Sequence, residues 1–323
     1  MTADETAGTP EPGRVVVIGA GLMGVGISQV FALAGHEVRV VEIDAACRAR
    51  AVPRLTEQLE TLVEHGLVDA RGAAAAIERV SLTDDLGAAV DPGEGQPPLL
   101  VIEAVSENLA LKRRLFAAVD RRTPPSTLLC SNTSGLSITA IAAETSRPER
   151  VCGAHFWNPP HLIPLVEVVK GEGTAESTLR ATSALLRAAG KVPVVVRRDI
   201  PGFIGNRLLH ALQREAMSLV ANGVASAEDV DLVVTQGFGR RLGVIGPLAV
   251  CDLAGLDLVL EVDNYLLRDL ESSPAPSPLL VELVAQGHLG VKSGRGFLLW
   301  DEETVRAAVA KRDAALIRAL QAG

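Results

Sequence analysis

Among the six histidines of the chain, His155 stands where the strand-like run Val151 to Phe156 breaks into the proline-bearing loop Trp157-Asn158-Pro159-Pro160-His161. Twelve residues further on, Glu167 sits inside the apolar run Leu165-Val166-Glu167-Val168-Val169. A carboxylate in such a run is costly to bury unless partnered, and an imidazole nitrogen is a natural partner whose tautomer the acid would fix. A return of the chain between the two runs brings the side chains together. Such a pair suits the oxidation of a secondary alcohol, which needs a base for the hydroxyl proton as hydride leaves the carbon. Each residue also has a plainer reading: a core histidine satisfied by backbone, and a strand-edge acid facing water.

A second constellation lies near the amino terminus. Arg14-Val15-Val16-Val17-Ile18 is a β-branched run, followed at once by Gly19-Ala20-Gly21-Leu22-Met23-Gly24 and an alanine-rich stretch ending near Gly35. Glycines so placed permit a tight turn, the close approach of a pyrophosphate and the packing of helix on strand, while the helix start offers amide protons to phosphate oxygens. Gly19, Gly21, Leu22, Met23 and Gly24 are therefore candidate cofactor contacts. The motif is weak alone, but a strand precedes it, a helix follows, and a second strand from Glu37 to Glu42 ends in an acid at the expected distance. Glu42 is placed to accept from adenosine ribose hydroxyls, and its charge repels a 2'-phosphate, which favours NAD over NADP. Asp44, two residues later, is the alternative acid.

The elements that must position these groups read as an α/β fold. Further strand candidates run Leu99 to Ala104, Thr127 to Ser131, Val151 to Phe156, Leu165 to Val169 and Val192 to Arg197, many separated by helical stretches. This pattern predicts a Rossmann-type, mostly parallel, doubly wound sheet domain over residues 14–198. An insert at about 45–90, rich in Ala, Leu and Arg, has helical spacing at Leu55, Leu59, Leu62 and Val63 and predicts a projecting helical pair. The breaker-dense stretch Asp91-Pro92-Gly93-Glu94-Gly95-Gln96-Pro97-Pro98 predicts an exposed loop. From Asp199-Ile200-Pro201-Gly202 onward helical patterns take over, which predicts an all-helical C-terminal domain over 199–323 for substrate binding and for pairing in a homodimer. Residues 1–13 read as a flexible tail that is not a signal peptide.

A chain of 323 residues, nearly half of them apolar, predicts two cores. Its net charge of -8, without a basic cluster, removes the attraction that drives binding to nucleic acid or anionic membranes, so neither partner is expected. The apolar stretches are too short or too interrupted by charge for a membrane-spanning helix of roughly 20 residues. Cys47, Cys130, Cys152 and Cys251 lie without CxxC spacing, which argues against a zinc cage or a disulfide framework and fits a cytoplasmic protein without metal.

Taken in order, Gly19-Ala20-Gly21-Leu22-Met23-Gly24, Glu103-Ala104-Val105-Ser106-Glu107-Asn108, Ser131-Asn132-Thr133-Ser134, His155-Phe156-Trp157-Asn158-Pro159 and Pro201-Gly202-Phe203-Ile204-Gly205-Asn206-Arg207 resemble the motifs of the 3-hydroxyacyl-CoA dehydrogenase family. Gly246-Pro247-Leu248, Asp252-Leu253-Ala254-Gly255-Leu256-Asp257 and Lys292-Ser293-Gly294-Arg295-Gly296-Phe297 extend the likeness, which covers about residues 14–300. The resemblance implies an NAD-dependent oxidoreductase of fatty acid metabolism that interconverts a 3-hydroxyacyl group, as its CoA thioester, and the 3-oxo form. It implies His155 and Glu167 as the general-base pair and Ser134 and Asn206 as donors to the substrate oxygen. Asn158 would hold the nicotinamide or that oxygen, with Ala104, Glu107 and Lys112 along the cofactor. Neutral donors aimed at an oxygen that gains negative charge lower the barrier. Read alone, Ser134-Gly135 is a turn, Glu107 a solvated helix-start acid and Lys112 a surface base. Family members acting on CoA thioesters carry lysines in the helical insert; here it has none, and Arg50, Arg54 and Arg71 are the candidates to meet a phosphate. Trp157 and His161 instead resemble relatives acting on small free hydroxy acids, such as the gulonate and carnitine dehydrogenases. That substrate class is the alternative, and a non-catalytic NAD-binding protein on the same fold is another.

Overall fold

The computed structural model describes residues 11–91 and 95–322. Most of the expected tail and residues 92–94 of the expected loop lie outside this range. The unbroken β-branched run near the start becomes β1 (Arg14–Ile18), whose side chains are buried on both faces: Val15 and Val17 join one core cluster, Val16 and Ile18 the other. This is the signature of a strand in a sheet covered on both sides. The remaining strands are β2 (Glu37–Val41), β3 (Val80–Thr83), β4 (Leu100–Glu103), β5 (Leu128–Ser131), β6 (Val151–Phe156), β7 (Leu165–Val169) and β8 (Val192–Val196). They form an eight-stranded sheet in the order β3-β2-β1-β4-β5-β6-β7-β8, parallel except where β6 meets β7. There the chain doubles back through a short loop instead of crossing over.

Helices α1 (Leu22–Leu33), α2 (Ala45–Glu64), α3 (Ala70–Glu78), α4 (Leu86–Val90), α5 (Leu109–Arg122), α6 (Ile138–Ala142) and α7 (Glu176–Ala188) cover the sheet. One face packs Phe31, Leu55, Leu59 and Leu186 from α1, α2 and α7; the other packs Ala89, Phe116, Val119, Ile138 and Ile141 from α4, α5 and α6. Each large side chain so buried contributes about 1.5–3 kcal/mol. The stretch expected as a projecting helical pair is built differently. Both helices form, but Ala51, Leu55 and Leu59 of α2 lie in the main core, and Val80–Thr83 adds β3 beside β2. The alternation of Val80 and Leu82 is only four residues long and half-buried, too short a signal to stand out beside two helical patterns.

The chain divides into two compact units, one running to Asn206 and resuming at Asp313, the other spanning Arg207–Arg312. Residues 199–206, expected to open the helical domain, belong to the sheet unit because Glu167 accepts the amides of Ile204 and Gly205. The end of the chain belongs there too, since Ile317 is buried with Leu62 and Leu162. The helical elements after the sheet are α8 (Gly205–Ala221), α9 (Ala227–Gln236), α10 (Gly239–Leu242), α11 (Pro247–Ala254), α12 (Leu256–Leu266), α13 (Pro278–Ala285) and α14 (Glu302–Ala322). Within Arg207–Arg312 no residue is buried in the single chain, and Leu248, Leu253 and Tyr265 are about four-fifths exposed. Among the described residues no helix is long and apolar enough to cross a membrane.

Asp120, near the end of α5, anchors the turn that launches β6. Its Oδ1 accepts from Arg150 Nη2 at 2.6 Å and its Oδ2 from the Ser146 hydroxyl at 2.6 Å and amide at 2.8 Å, while Arg147 Nε donates to Oδ1 at 3.1 Å. Burial pushes the carboxyl up, but the Ser146 and Arg150 hydrogen bonds outweigh it and hold Asp120 below the usual carboxylate range. A depressed folded-state value makes this contribution complete above the ordinary aspartate value of about 3.9, and it is lost as pH falls through the folded value. Asp120→Ala leaves Arg150 buried without its counter-ion and is expected to lower stability by about 3–5 kcal/mol in urea unfolding at pH 7. A loss below about 1 kcal/mol would contradict this account of how β6 is anchored.

Candidate active site

The antiparallel register of β6 and β7 sets His155 directly opposite Glu167, so both side chains leave the same face of the sheet. His155 Nδ1 lies 2.8 Å from Glu167 Oε2, with the residues 4% and 1% exposed. Glu167 Oε1 accepts from the amides of Ile204 at 2.9 Å and Gly205 at 3.0 Å. These amides lie at the start of α8, where backbone donors have no intrahelical acceptor and an anion is favoured. Gly202 and Phe203, with φ of 75° and 52°, aim the segment there. A non-glycine residue with positive φ is uncommon, and burial of Phe203 to 1% exposure holds it in place. Burial pushes the Glu167 carboxyl up, but the His155 hydrogen bond and the two amides outweigh it and hold it below the usual carboxylate range. An ionised carboxylate only accepts, so Nδ1 is the donor in this contact.

Trp157 and Phe203 flank the imidazole, with ring centroids 5.3 and 5.7 Å away. A Cβ on Gly205 would fall 2.2 Å from Cζ2 of Trp157, so glycine at the head of α8 makes room for the indole. Asn206, the next residue, donates from Nδ2 to the Ser134 carbonyl at 2.7 Å. Ser134 is exposed, and so is Asn158, which is joined to Pro159 by a cis peptide bond. The Ser134 amide donates to Glu107 Oε1 at 3.1 Å, and the Thr133 hydroxyl donates to the same oxygen.

Lys112 is not a surface base. It is 1% exposed, and its ammonium reaches Glu103 Oε1 at 2.6 Å, Glu107 Oε2 at 3.3 Å and the Val105 carbonyl at 3.4 Å. Three protons thus have three protein acceptors. Glu103 Oε2 also accepts the Ser131 hydroxyl at 2.7 Å. Glu107 is exposed but engaged: burial of part of its carboxyl pushes it up, and Thr133, Lys112 and the Ser134 amide together bring it below its ordinary value. Sequence reading passed over Glu103, Ser131 and Thr133 as participants. The signal was present in Glu103, an acid ending an apolar strand much as Glu167 interrupts one.

At the amino-terminal turn, Gly19 has φ of 105° and its missing Cβ would meet the Ala104 carbonyl at 2.7 Å. A Cβ on Gly24 would fall 1.8 Å from the Gly19 carbonyl, whereas at Gly21 it would meet nothing within 4 Å. Helix α1 starts at Leu22 and Met23 without a side-chain cap or an acid in its first turn. Uncapped amides facing open space fit the diphosphate of a dinucleotide. Glu42 stands beside them, accepting from the Ala20 amide and the Asp44 amide, each at 2.9 Å. Asp44 is committed elsewhere, capping α2 through the Cys47 amide at 2.6 Å.

Residues 14–200 match the NAD-binding domain of 3-hydroxyacyl-CoA dehydrogenase, and residues 202–300 match its C-terminal domain. The chain is 38% identical over 307 residues to the 5-formyl-3-hydroxy-2-methylpyridine 4-carboxylate 5-dehydrogenase of Mesorhizobium japonicum, covering 94% of this chain and 96% of that one. It is 41% identical over 286 residues to the 3-hydroxybutyryl-CoA dehydrogenase of Mycobacterium tuberculosis, covering 88% and 97%. The crystal structure of a 5-formyl-3-hydroxy-2-methylpyridine 4-carboxylic acid 5-dehydrogenase, described as an NAD+-dependent dismutase, superposes with a TM-score of 0.87 at 37% identity, covering 95% of this chain and 97% of that one. With a dinucleotide turn, a buried histidine and acid, and both domain models matched in order, the chain is an NAD-dependent oxidoreductase that belongs to the 3-hydroxyacyl-CoA dehydrogenase family.

Proposed function

We propose that the protein interconverts the 3-hydroxy and 3-oxo forms of an acyl substrate, with His155 moving the hydroxyl proton at Nε2 and Glu167 holding the imidazole in the required tautomer. The observation that carries this reading is the 2.8 Å contact between Nδ1 and an acid kept anionic by two amides. Once His155 takes a proton, the same acid faces an imidazolium and stabilises it. Bound NAD supplies the hydride acceptor. Ser134 and Asn206 orient the substrate oxygen; Asn206 spends one amide proton on the Ser134 carbonyl and has a second to offer. Trp157 and Phe203 keep bulk water from the sides of the imidazole.

The cofactor would lie on Gly19, Gly21, Leu22, Met23 and Gly24, with its ribose at Glu42 and its nicotinamide end near Ala104, Glu107 and Asn158. Lys112 acts there indirectly, by holding Glu107. In the helical unit, exposed leucines and valines along its helices favour pairing with a second copy in a two-fold dimer.

Identity to the Mycobacterium tuberculosis enzyme favours a CoA thioester as substrate, with exposed Arg50 and Arg71 available to its phosphates. A second reading, a small free acid, is favoured by the TM-score of 0.87 to a dehydrogenase of a pyridine carboxylate and by an insert without lysine. Oxidation of NADH against acetoacetyl-CoA and a panel of free 3-oxo acids separates them. Turnover of the thioester supports the first reading, turnover confined to free acids supports the second, and turnover of none rejects the proposal.

Cofactor choice is expected to follow Glu42. Turnover with NAD should exceed that with NADP by at least about tenfold, the effect of roughly 1.4 kcal/mol, and Glu42→Gln should narrow the gap. Equal use of the two cofactors by the unaltered enzyme would remove Glu42 from the ribose site.

A further inference from the structure

The β6–β7 connection, residues 157–164, carries Trp157 and Asn158 and is held from behind. Two of its carbonyls converge on one ammonium: Lys191 Nζ donates to Pro160 O at 2.6 Å and to Ile163 O at 3.2 Å. Lys191 precedes β8 and is 8% exposed, and the Val192 amide next to it donates to Pro164 O at 2.9 Å. On its other side the loop rests on the cofactor helix, where the Pro160 ring lies 3.0 Å from the position of a Cβ on Gly26 in α1. The composition of the chain sharpens the point. Only five lysines occur, arginine serving almost everywhere else, and two of the five, Lys112 and Lys191, are buried. A compact ammonium suits two converging carbonyls, where a planar guanidinium fork does not.

We propose that Lys191 is a positioning residue, whose ammonium fastens the loop bearing Trp157 and Asn158 beside His155. The proposal rests on the catalytic reading of His155 given above. Lys191 borders a cavity of about 290 Å³ whose walls are apolar: Val30, Leu33 and Ala34 from α1, Ala188 and Ala189 from α7 and the turn after it, and Leu320 from α14. His161, on the loop itself, is the other titratable group among the lining residues. Burial in this setting pulls the Lys191 ammonium down to about 8. Its two hydrogen bonds are charge-assisted below that pH and of the weaker neutral kind above it. Stability moves the opposite way. Because the folded value lies below the unfolded one of about 10.4, the folded chain binds fewer protons between the two, and this group makes stability rise with pH across that window. Loosening of the loop above pH 8 would thus come without loss of global stability.

Trp157 reports on the loop directly, because Trp300 is the only other tryptophan in the chain. In a Trp300→Phe background, Trp157 emission is followed from pH 6.5 to 9.5, without cofactor or substrate, with Lys191 intact and as Lys191→Met. His155 lies 5.3 Å from Trp157 and is present in both proteins, so the difference between the two curves is the readout. A transition near pH 8 that vanishes in Lys191→Met is expected, as is a loss of about tenfold in kcat. Identical curves overturn the proposal. Should Lys191→Met fail to fold, Lys191→Arg, which stays charged, must also lack the transition, and its persistence there overturns the proposal equally. A loop transition with no change in kcat would overturn the link to catalysis. A failed assignment of His155 would appear only in turnover and leave the emission curves as they are.

Discussion

A parallel strand pair needs a crossover, and a crossover puts many residues between facing positions. By reversing direction once, between β6 and β7, this sheet sets two residues only twelve apart in sequence directly against one another. That single antiparallel join makes a hydrogen-bonded histidine and acid out of two strand residues. The rest of the site depends on it. Glu167 collects the amides that begin α8, which places Asn206 against Ser134. The loop that performs the reversal carries Trp157 and Asn158 and rests on α1, the helix that begins at the cofactor turn.

Three buried acids organise this half of the molecule, and each is bound by a different partner. Asp120 has arginines and a serine, Glu103 has Lys112 and Ser131, and Glu167 has His155 and two amides. The difference matters chemically. Arginine stays charged throughout, so Asp120 serves anchoring alone. An imidazole can give up a proton where a guanidinium cannot, so the Glu167 pair is the one proposed for proton transfer. Glu103 and Lys112 lie between these roles, since the ammonium also holds Glu107 against Thr133 and Ser134.

Much of this was legible in the residues. Apolar runs marked seven of the strands, the glycine turn announced the cofactor helix, and the acid in Leu165–Val169 signalled a partner. What was hidden has physical causes. β3 is a four-residue edge strand with weak alternation, and Lys112 looks like any helical lysine until β4 brings Glu103 to it. The reach of the sheet unit to Asn206 depends on amides donated to Glu167, which no side-chain pattern encodes. Lys191 was invisible for the same reason, because its acceptors are backbone carbonyls some thirty residues away. Tertiary hydrogen bonds to the main chain leave no periodic trace.

The central claim is that the cross-strand pair is the proton-transfer machinery and not only a buried contact. Steady-state turnover of His155→Gln beside direct titration with NADH tests it, since glutamine can still donate to Glu167 while losing the base. A fall of about 10² to 10⁴ in kcat with NADH affinity retained is the expected result. Turnover close to that of the unaltered enzyme, in a protein that still binds NADH, would contradict the account.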